Sequence, residues 1–136
     1  MTGENEVVNA RAELAKAKAA RRAAKALAEL QLYDDASSRI YYAAFHLVSA
    51  ALLTLGVQAQ THSGVASLLG QHLVRPGLLP VEVGRHFASL MGLRSQADYN
   101  RHFLLDAAGF NEEMQKADAL FSSLEAFLAE RGIEIS

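Results

Sequence analysis

Cysteine is absent from this chain. Disulfides and thiolate metal sites are thereby excluded, and the lack agrees with a reducing cytosol. Proline occurs only twice, at Pro76 and Pro80, which leaves long stretches without a breaker and favours helix. β-Branched runs of period two are missing, so no strand is predicted. The longest apolar run, Leu47 to Leu55, is interrupted by Ser49 and Thr54 and is too short to span a bilayer. Charges begin at Glu4 with no apolar leader run, so neither a signal peptide nor a membrane association is expected. Neither sign of charge dominates: 13 Lys and Arg face 15 Asp and Glu, for a net charge of -2. A contact with RNA would therefore need a local basic cluster rather than a global field. No glycine-rich phosphate loop, nucleophile elbow or CxxC occurs, which removes NTPase, α/β-hydrolase and redox readings. The five histidines show no HExxH-like spacing, and Glu82 with His86 is a weak pair, so neither a metal nor a cofactor is expected.

What is present reads as helix. With 136 residues, 51% of them hydrophobic and 21% charged, the chain makes one folded domain over 1–136. An alanine-rich segment, Glu4 to Gln31, places Val7, Ala10, Leu14, Ala17, Ala24 and Leu27 at helical spacing. Lys16, Lys18, Arg21, Arg22 and Lys25 lie between them and read as a solvated face, with an RNA-facing surface as the minority reading. A second helix is predicted from Asp35 to Leu55, capped by Asp34 or Asp35 and stopped by Gly56. A short third helix, Gly64 to Leu73, has Thr61 or Ser63 as its cap and Val65, Leu68, Leu69 and His72 on one face. Arg75-Pro76-Gly77 is a turn. Pro80 suits the first turn of a fourth helix, Val81 to Tyr99. Residues 100–109 have no clear period. A fifth helix begins at Phe110, with an apolar seam of Phe110, Met114, Ala117, Phe121, Leu124 and Leu128, and ends at Gly132. The fold class is all-α, an antiparallel up-and-down bundle of four to five helices.

Two polar patterns interrupt these apolar faces. Arg39, Tyr42, His46 and Ser49 share one stripe of the second helix. Such a stripe is satisfied either structurally, with Arg39 paired to Asp35 and Tyr42 in the core, or as one wall of a polar cleft that binds phosphate or a base. Late in the fourth helix, Arg94 and Asp98 stand at i, i+4, the spacing of a helix ion pair of about 0.3–0.5 kcal/mol. Arg94 also continues the Val83–Phe87–Leu90 stripe, which directs it toward the bundle interior or a partner. An arginine so placed needs an anion, and phosphate is a natural one.

The run Ala36-Ser-Ser-Arg39-Ile-Tyr41-Tyr42-Ala-Ala-Phe45-His46 resembles the corresponding helix of small HEPN-domain proteins, closest to the UPF0332 subgroup. Thr61-His62-Ser63-Gly64-Val65 and Arg94-Ser-Gln-Ala97-Asp98-Tyr99 are similar to two further marks of that subgroup, and the likeness runs over about residues 8–128. The resemblance implies a helical bundle, usually a homodimer, and a minimal nucleotidyltransferase (MNT) as antitoxin partner. It also implies metal-independent cleavage of RNA: an arginine holds the scissile phosphate, and a histidine separated from it by four to six residues moves protons as the 2′-hydroxyl attacks. Carried onto this chain, Arg94 takes the arginine's place, and Tyr99 stands where the histidine is expected. His102 lies beyond the family spacing and reaches Arg94's ligand only if the helix ends near Tyr99. In a cleft between the second and fourth helices, Arg39 is expected as a second anion contact or a brace, Tyr42 and His46 as lining, and Asp98 as the group orienting Arg94; the resemblance adds Tyr99 as a candidate for nucleotidylation. Three readings follow: a ribonuclease using Arg94 with Tyr99 or His102, a non-catalytic module that binds nucleotide or docks a nucleotidyltransferase, and a purely structural dimerisation bundle.

Overall fold

A computed structural model describes residues 3–133. Five α-helices form an all-α antiparallel bundle: α1 Glu4–Glu29, α2 Tyr33–Leu53, α3 His62–Leu69, α4 Val81–Tyr99 and α5 Ala107–Glu130. No strand occurs among the described residues. Helix α2 is the centre and touches the other four. Its contact with α1 is made of small residues. Ala10, Leu14, Ala17, Ala20 and Ala24 are buried at a spacing of three or four, and Ala36, Ala43, Ala44, Ala50 and Ala51 of α2 are buried too. Alanine faces let two helix axes approach closely. The predicted seam of α5 is the buried one, with Phe110, Ala117, Phe121, Leu124 and Leu128 in the core and Met114 packed against it.

The helix ends show where local chemistry acts. At the end of α2, Val57 N–H donates to the Leu52 carbonyl and Gly56 N–H to the Leu53 carbonyl, both at 3.0 Å. This is a Schellman pair around Gly56 at φ 75°, as its place after the apolar run predicts. The same pattern closes α5 at Gly132, φ 79°, and closes α1 at Gln31, φ 63°. A Cβ on Gly56 would meet nothing nearer than a Glu6 carboxylate oxygen at 3.6 Å, so only the backbone angle opposes a side chain there. Gly56→Ala is accordingly expected to cost about 1–2 kcal/mol, read as a lower urea midpoint with an unchanged slope.

Several predicted boundaries move. Helix α2 begins at Tyr33, and neither aspartate caps it. The Asp34 carboxylate instead accepts the Leu105 N–H at 2.9 Å. That bond ties the α4–α5 loop to the start of α2. Helix α3 begins at His62 because Thr61 is its cap, accepting the Gly64 N–H at 2.9 Å. The helix runs on as a π-helical turn, Gly70–Val74, in which Arg75 N–H reaches the Gly70 carbonyl. The wider turn shifts the register, so Leu73 is buried and His72 only half-buried. Pro80 sits at the N-cap rather than inside α4. Helix α5 starts three residues before Phe110, because Asp106 accepts the Gly109 N–H at 2.8 Å.

Candidate phosphate site between two helices

The antiparallel contact of α2 with α4 sets Ser38 and Tyr42 opposite Arg94 and Asp98. Each pair is one helical turn apart, so the four side chains form the corners of a closed polar frame. Ser38 Oγ donates to Asp98 Oδ1 at 2.9 Å. Asp98 Oδ2 lies 2.9 Å from Arg94 Nε. Arg94 Nη2 donates to the Tyr42 hydroxyl at 2.9 Å. The Nε–Asp98 approach is an ion pair and not an aligned hydrogen bond, since Nε has no acceptor along its N–H direction although it is out of contact with water. The arginine is thus held from two sides while its side chain stays 22% exposed. Burial works against its charge, but Tyr42, Asp98 and Tyr99 outweigh that, and its pKa is raised. Arg94 is a fixed cation.

Arg39 joins this frame from outside. Its guanidinium lies over the Tyr42 ring, 4.8 Å from the ring centre, and it makes no ion pair among the described residues. The predicted bond to Asp35 is therefore not the one formed. Arg94 lies 5.4 Å from the same ring centre. Two guanidiniums converge on one phenol ring, and Asp98 is the carboxylate paired with one of them. Cation–π contact holds both in place without neutralising either.

Of the residues singled out by sequence, the structure gathers Arg39, Tyr42, Arg94 and Asp98. Tyr99 stands at the rim, with its ring centre 5.8 Å from the Arg94 guanidinium. Helix α4 does end at Tyr99, and the chain turns at Arg101 and His102. Tyr99 and His102 line one shallow hollow of about 450 Å³ with Ser95, Gln96, Asn100 and Arg101. His46 is held elsewhere: its Nδ1 is 2.6 Å from Glu13 Oε2 of α1, so it serves the α1–α2 contact. Its place on the stripe is right and its partner is different, because α1 covers that part of α2.

Three neighbours were not singled out as site residues. Ser38 braces Asp98. Tyr41 is fully buried; burial raises its pKa although Arg94 lowers it, which keeps the phenol neutral. His62 stacks on Phe45 at 4.3 Å and 24° and sits edge-on to Tyr42 at 5.8 Å. The signals for His62 were its place beside the Thr61 cap, which spacing alone reads as helix initiation, and its place in the Thr61–Val65 run that resembles the UPF0332 subgroup.

A larger hollow lies away from this site. It is a groove of about 830 Å³ beside α1 and α5, floored by Ile40 and Leu47 and rimmed by Lys18, Arg22 and Lys25. Ile40 is two residues from both Ser38 and Tyr42, about 200° around the helix, so the groove opens on the other face of α2. Its floor is apolar, and the Arg21–Glu125 ion pair lies along its wall. No group of three metal-binding side chains occurs among the described residues, and no helix there is long and apolar enough to cross a membrane.

Comparison with known proteins gives a consistent result. The sequence model described as the HEPN domain matches residues 10–130. A UPF0332 protein of Gloeobacter violaceus is 44% identical over 77 residues, covering 57% of this chain and 61% of that protein. A protein of Methanocaldococcus jannaschii named as a candidate toxin is 42% identical over 77 residues, 57% of this chain and 58% of its own length. A UPF0332 protein of Thermotoga maritima is 29% identical over 105 residues, 77% and 80% of the two chains. The chain thus spans about three-fifths of the length of the first two relatives.

Proposed function

This chain belongs to the HEPN-domain family, and we propose from that premise that it is a toxin-like HEPN protein that binds RNA phosphate between α2 and α4 and cleaves the strand without metal. The observation that carries the proposal is the convergence of Arg39 and Arg94 on Tyr42 with only Asp98 to balance them. A phosphodiester set against that ring would receive hydrogen bonds from two guanidiniums, the geometry arginine serves best. Binding of this kind depends on charge, so affinity should fall steeply with salt. The toxin reading is supported by the relatives' names. It carries with it an MNT partner and a cytoplasmic setting. The chain would act as one domain over 1–136.

The test is direct. Protein freed of any partner is incubated with a labelled RNA in EDTA. Fragments ending in a 2′,3′-cyclic phosphate are the expected result, and intact RNA would contradict cleavage. A second reading, a non-catalytic nucleotide-binding or docking module, is favoured by one observation: the residue five beyond Arg94 is Tyr99, a phenol and not the imidazole that general-base chemistry uses most often. Nucleotide binding without cleavage would select it.

A homodimer belongs to the proposal. Leu104 is 86% exposed, and Leu30 and Leu32 of the α1–α2 turn are 69% and 46% exposed. The Leu105–Asp34 bond holds the first close to the other two, at the end of the bundle that carries Tyr99. A second copy would cover this patch. Leu104→Asp is expected to shift the sedimentation-equilibrium mass from dimer toward monomer without lowering the melting temperature, and an unchanged dimer would place the interface elsewhere.

A further inference from the structure

We propose that His62 is the imidazole of this site: it faces the same phosphate as Arg94 and accepts the proton of the attacking 2′-hydroxyl. The inference rests on the phosphate-site reading and names a residue that reading does not use. It begins with the loop. After Gly56 the chain returns along α2, and Thr61 starts α3 by accepting the Gly64 N–H. A Cβ at Gly64 would lie only 2.9 Å from the Thr61 hydroxyl, so glycine is what permits the close cap. His62 is thereby fixed as the first residue of α3.

Its side chain is held on two sides. One ring face stacks on Phe45 at 4.3 Å, and Nδ1 lies 3.5 Å from the Tyr41 hydroxyl. Tyr41 is itself buried and rests on Phe87 at 5.6 Å, so the anchor is rigid. The residue as a whole is exposed. With Nδ1 turned to the buried phenol, Nε2 points outward. This contact admits both tautomers; the one that donates Nδ1–H to the Tyr41 oxygen leaves the Nε2 lone pair free and is the form that acts as a base. The ring centre is 5.8 Å from that of Tyr42, and the Arg94 guanidinium is 5.4 Å from the same centre. Both groups border the Tyr42 ring, and both also border Tyr41, whose ring centre is 6.3 Å from the imidazole and 5.7 Å from the Arg94 guanidinium. His102 is bordered by Tyr99 and Arg101 instead, and His46 is engaged by Glu13.

The step balances without a metal. The 2′-oxygen bonds to phosphorus as its proton passes to His62 Nε2. The P–O5′ bond breaks, and the 5′-oxygen leaves with a proton from water. The products are a 2′,3′-cyclic phosphate and a 5′-hydroxyl, and the imidazolium returns its proton to solvent.

Two measurements test this on the full chain. The first follows the histidine ring resonances by NMR through a pH titration, with and without cytidine 3′-monophosphate. The expected result is an upward move of the His62 midpoint on binding, because a phosphate beside the ring favours imidazolium, with His46 and His102 unmoved. The second compares wild type with His62→Gln. Cleavage should fall by about 10²-fold or more, while nucleotide affinity stays within about threefold and the melting temperature is kept, as an exposed residue allows. Nucleotide binding that leaves His62 unmoved, or moves His102 instead, overturns the inference and spares the phosphate site. A bound nucleotide that moves His62 with cleavage unchanged in His62→Gln overturns the proton transfer. Absence of nucleotide binding by wild type overturns both.

Discussion

Replacing Arg94 with alanine is expected to slow RNA cleavage by about 10²–10³-fold, the usual cost of losing one donor to transition-state charge. The loss should exceed that of one cation. Asp98 remains at its place, still held by Ser38, and now repels the phosphate that Arg94 had attracted. Arg94→Ala with Asp98→Ala should therefore bind RNA better than Arg94→Ala alone. That inversion is a coupling a double-mutant cycle detects. Arg94→Lys should restore little, because an ammonium is a point charge and cannot engage Tyr42, Asp98 and a phosphate in one plane. Single-turnover cleavage and fluorescence anisotropy with one labelled oligonucleotide give both quantities. Melting curves should stay within a few degrees of wild type, since the ion pair is partly exposed and contributes little to stability. Full activity of Arg94→Ala would remove the arginine from the chemistry.

Phe87→Ala is expected to have the largest effect on stability, about 3–5 kcal/mol. Phe87 is fully buried on α4 and lies under Tyr41. Its removal leaves a void at the junction of α2 and α4, and the neighbours collapse into it only in part. For a domain of this size the loss corresponds to roughly 10–20 °C in melting temperature. The site should suffer beyond the stability change. Tyr41 would lose the surface it rests on, and through it both the His62 anchor and the ring beside Arg94 would loosen. Phe87→Leu keeps most of the volume and should retain the site at a smaller cost. A variant that is destabilised yet cleaves normally below its melting point would show that Tyr41 does not position the site.

These expectations rest on features that differ in how far the sequence revealed them. The α5 seam from Phe110 to Leu128 was legible because one face of a long helix repeats every three or four residues. The three residues before it were not. Ala107 and Ala108 are exposed, so no buried face marks them, and only the Asp106 side chain shows that the helix has begun. Gly56 and Gly132 were legible as stops because a left-handed residue suits glycine. Gln31 adopts the same angle, and nothing in its chemistry announces it. Within the site, Arg94 was legible by continuation: it extends the stripe of Val83, Phe87 and Leu90, so its inward direction follows from helix geometry. Tyr42 was legible by its stripe, and their mutual bond required only that α2 and α4 be neighbours. His46 shared that stripe, but its partner Glu13 depends on the register of α1, which an alanine-rich helix leaves open. His62 was the least legible. Its stacking on Phe45 depends on how an aperiodic loop returns along α2, and no local spacing encodes that path.

The central claim is that one phosphate sits against Tyr42 between Arg39 and Arg94. A crystal structure of the protein with cytidine 3′-monophosphate bound tests it most directly. The account predicts phosphate density within about 3 Å of guanidinium nitrogens of both arginines, the distance of charge-assisted hydrogen bonds. Nucleotide density in the groove beside α1 and α5, with the Tyr42 site empty, would contradict it.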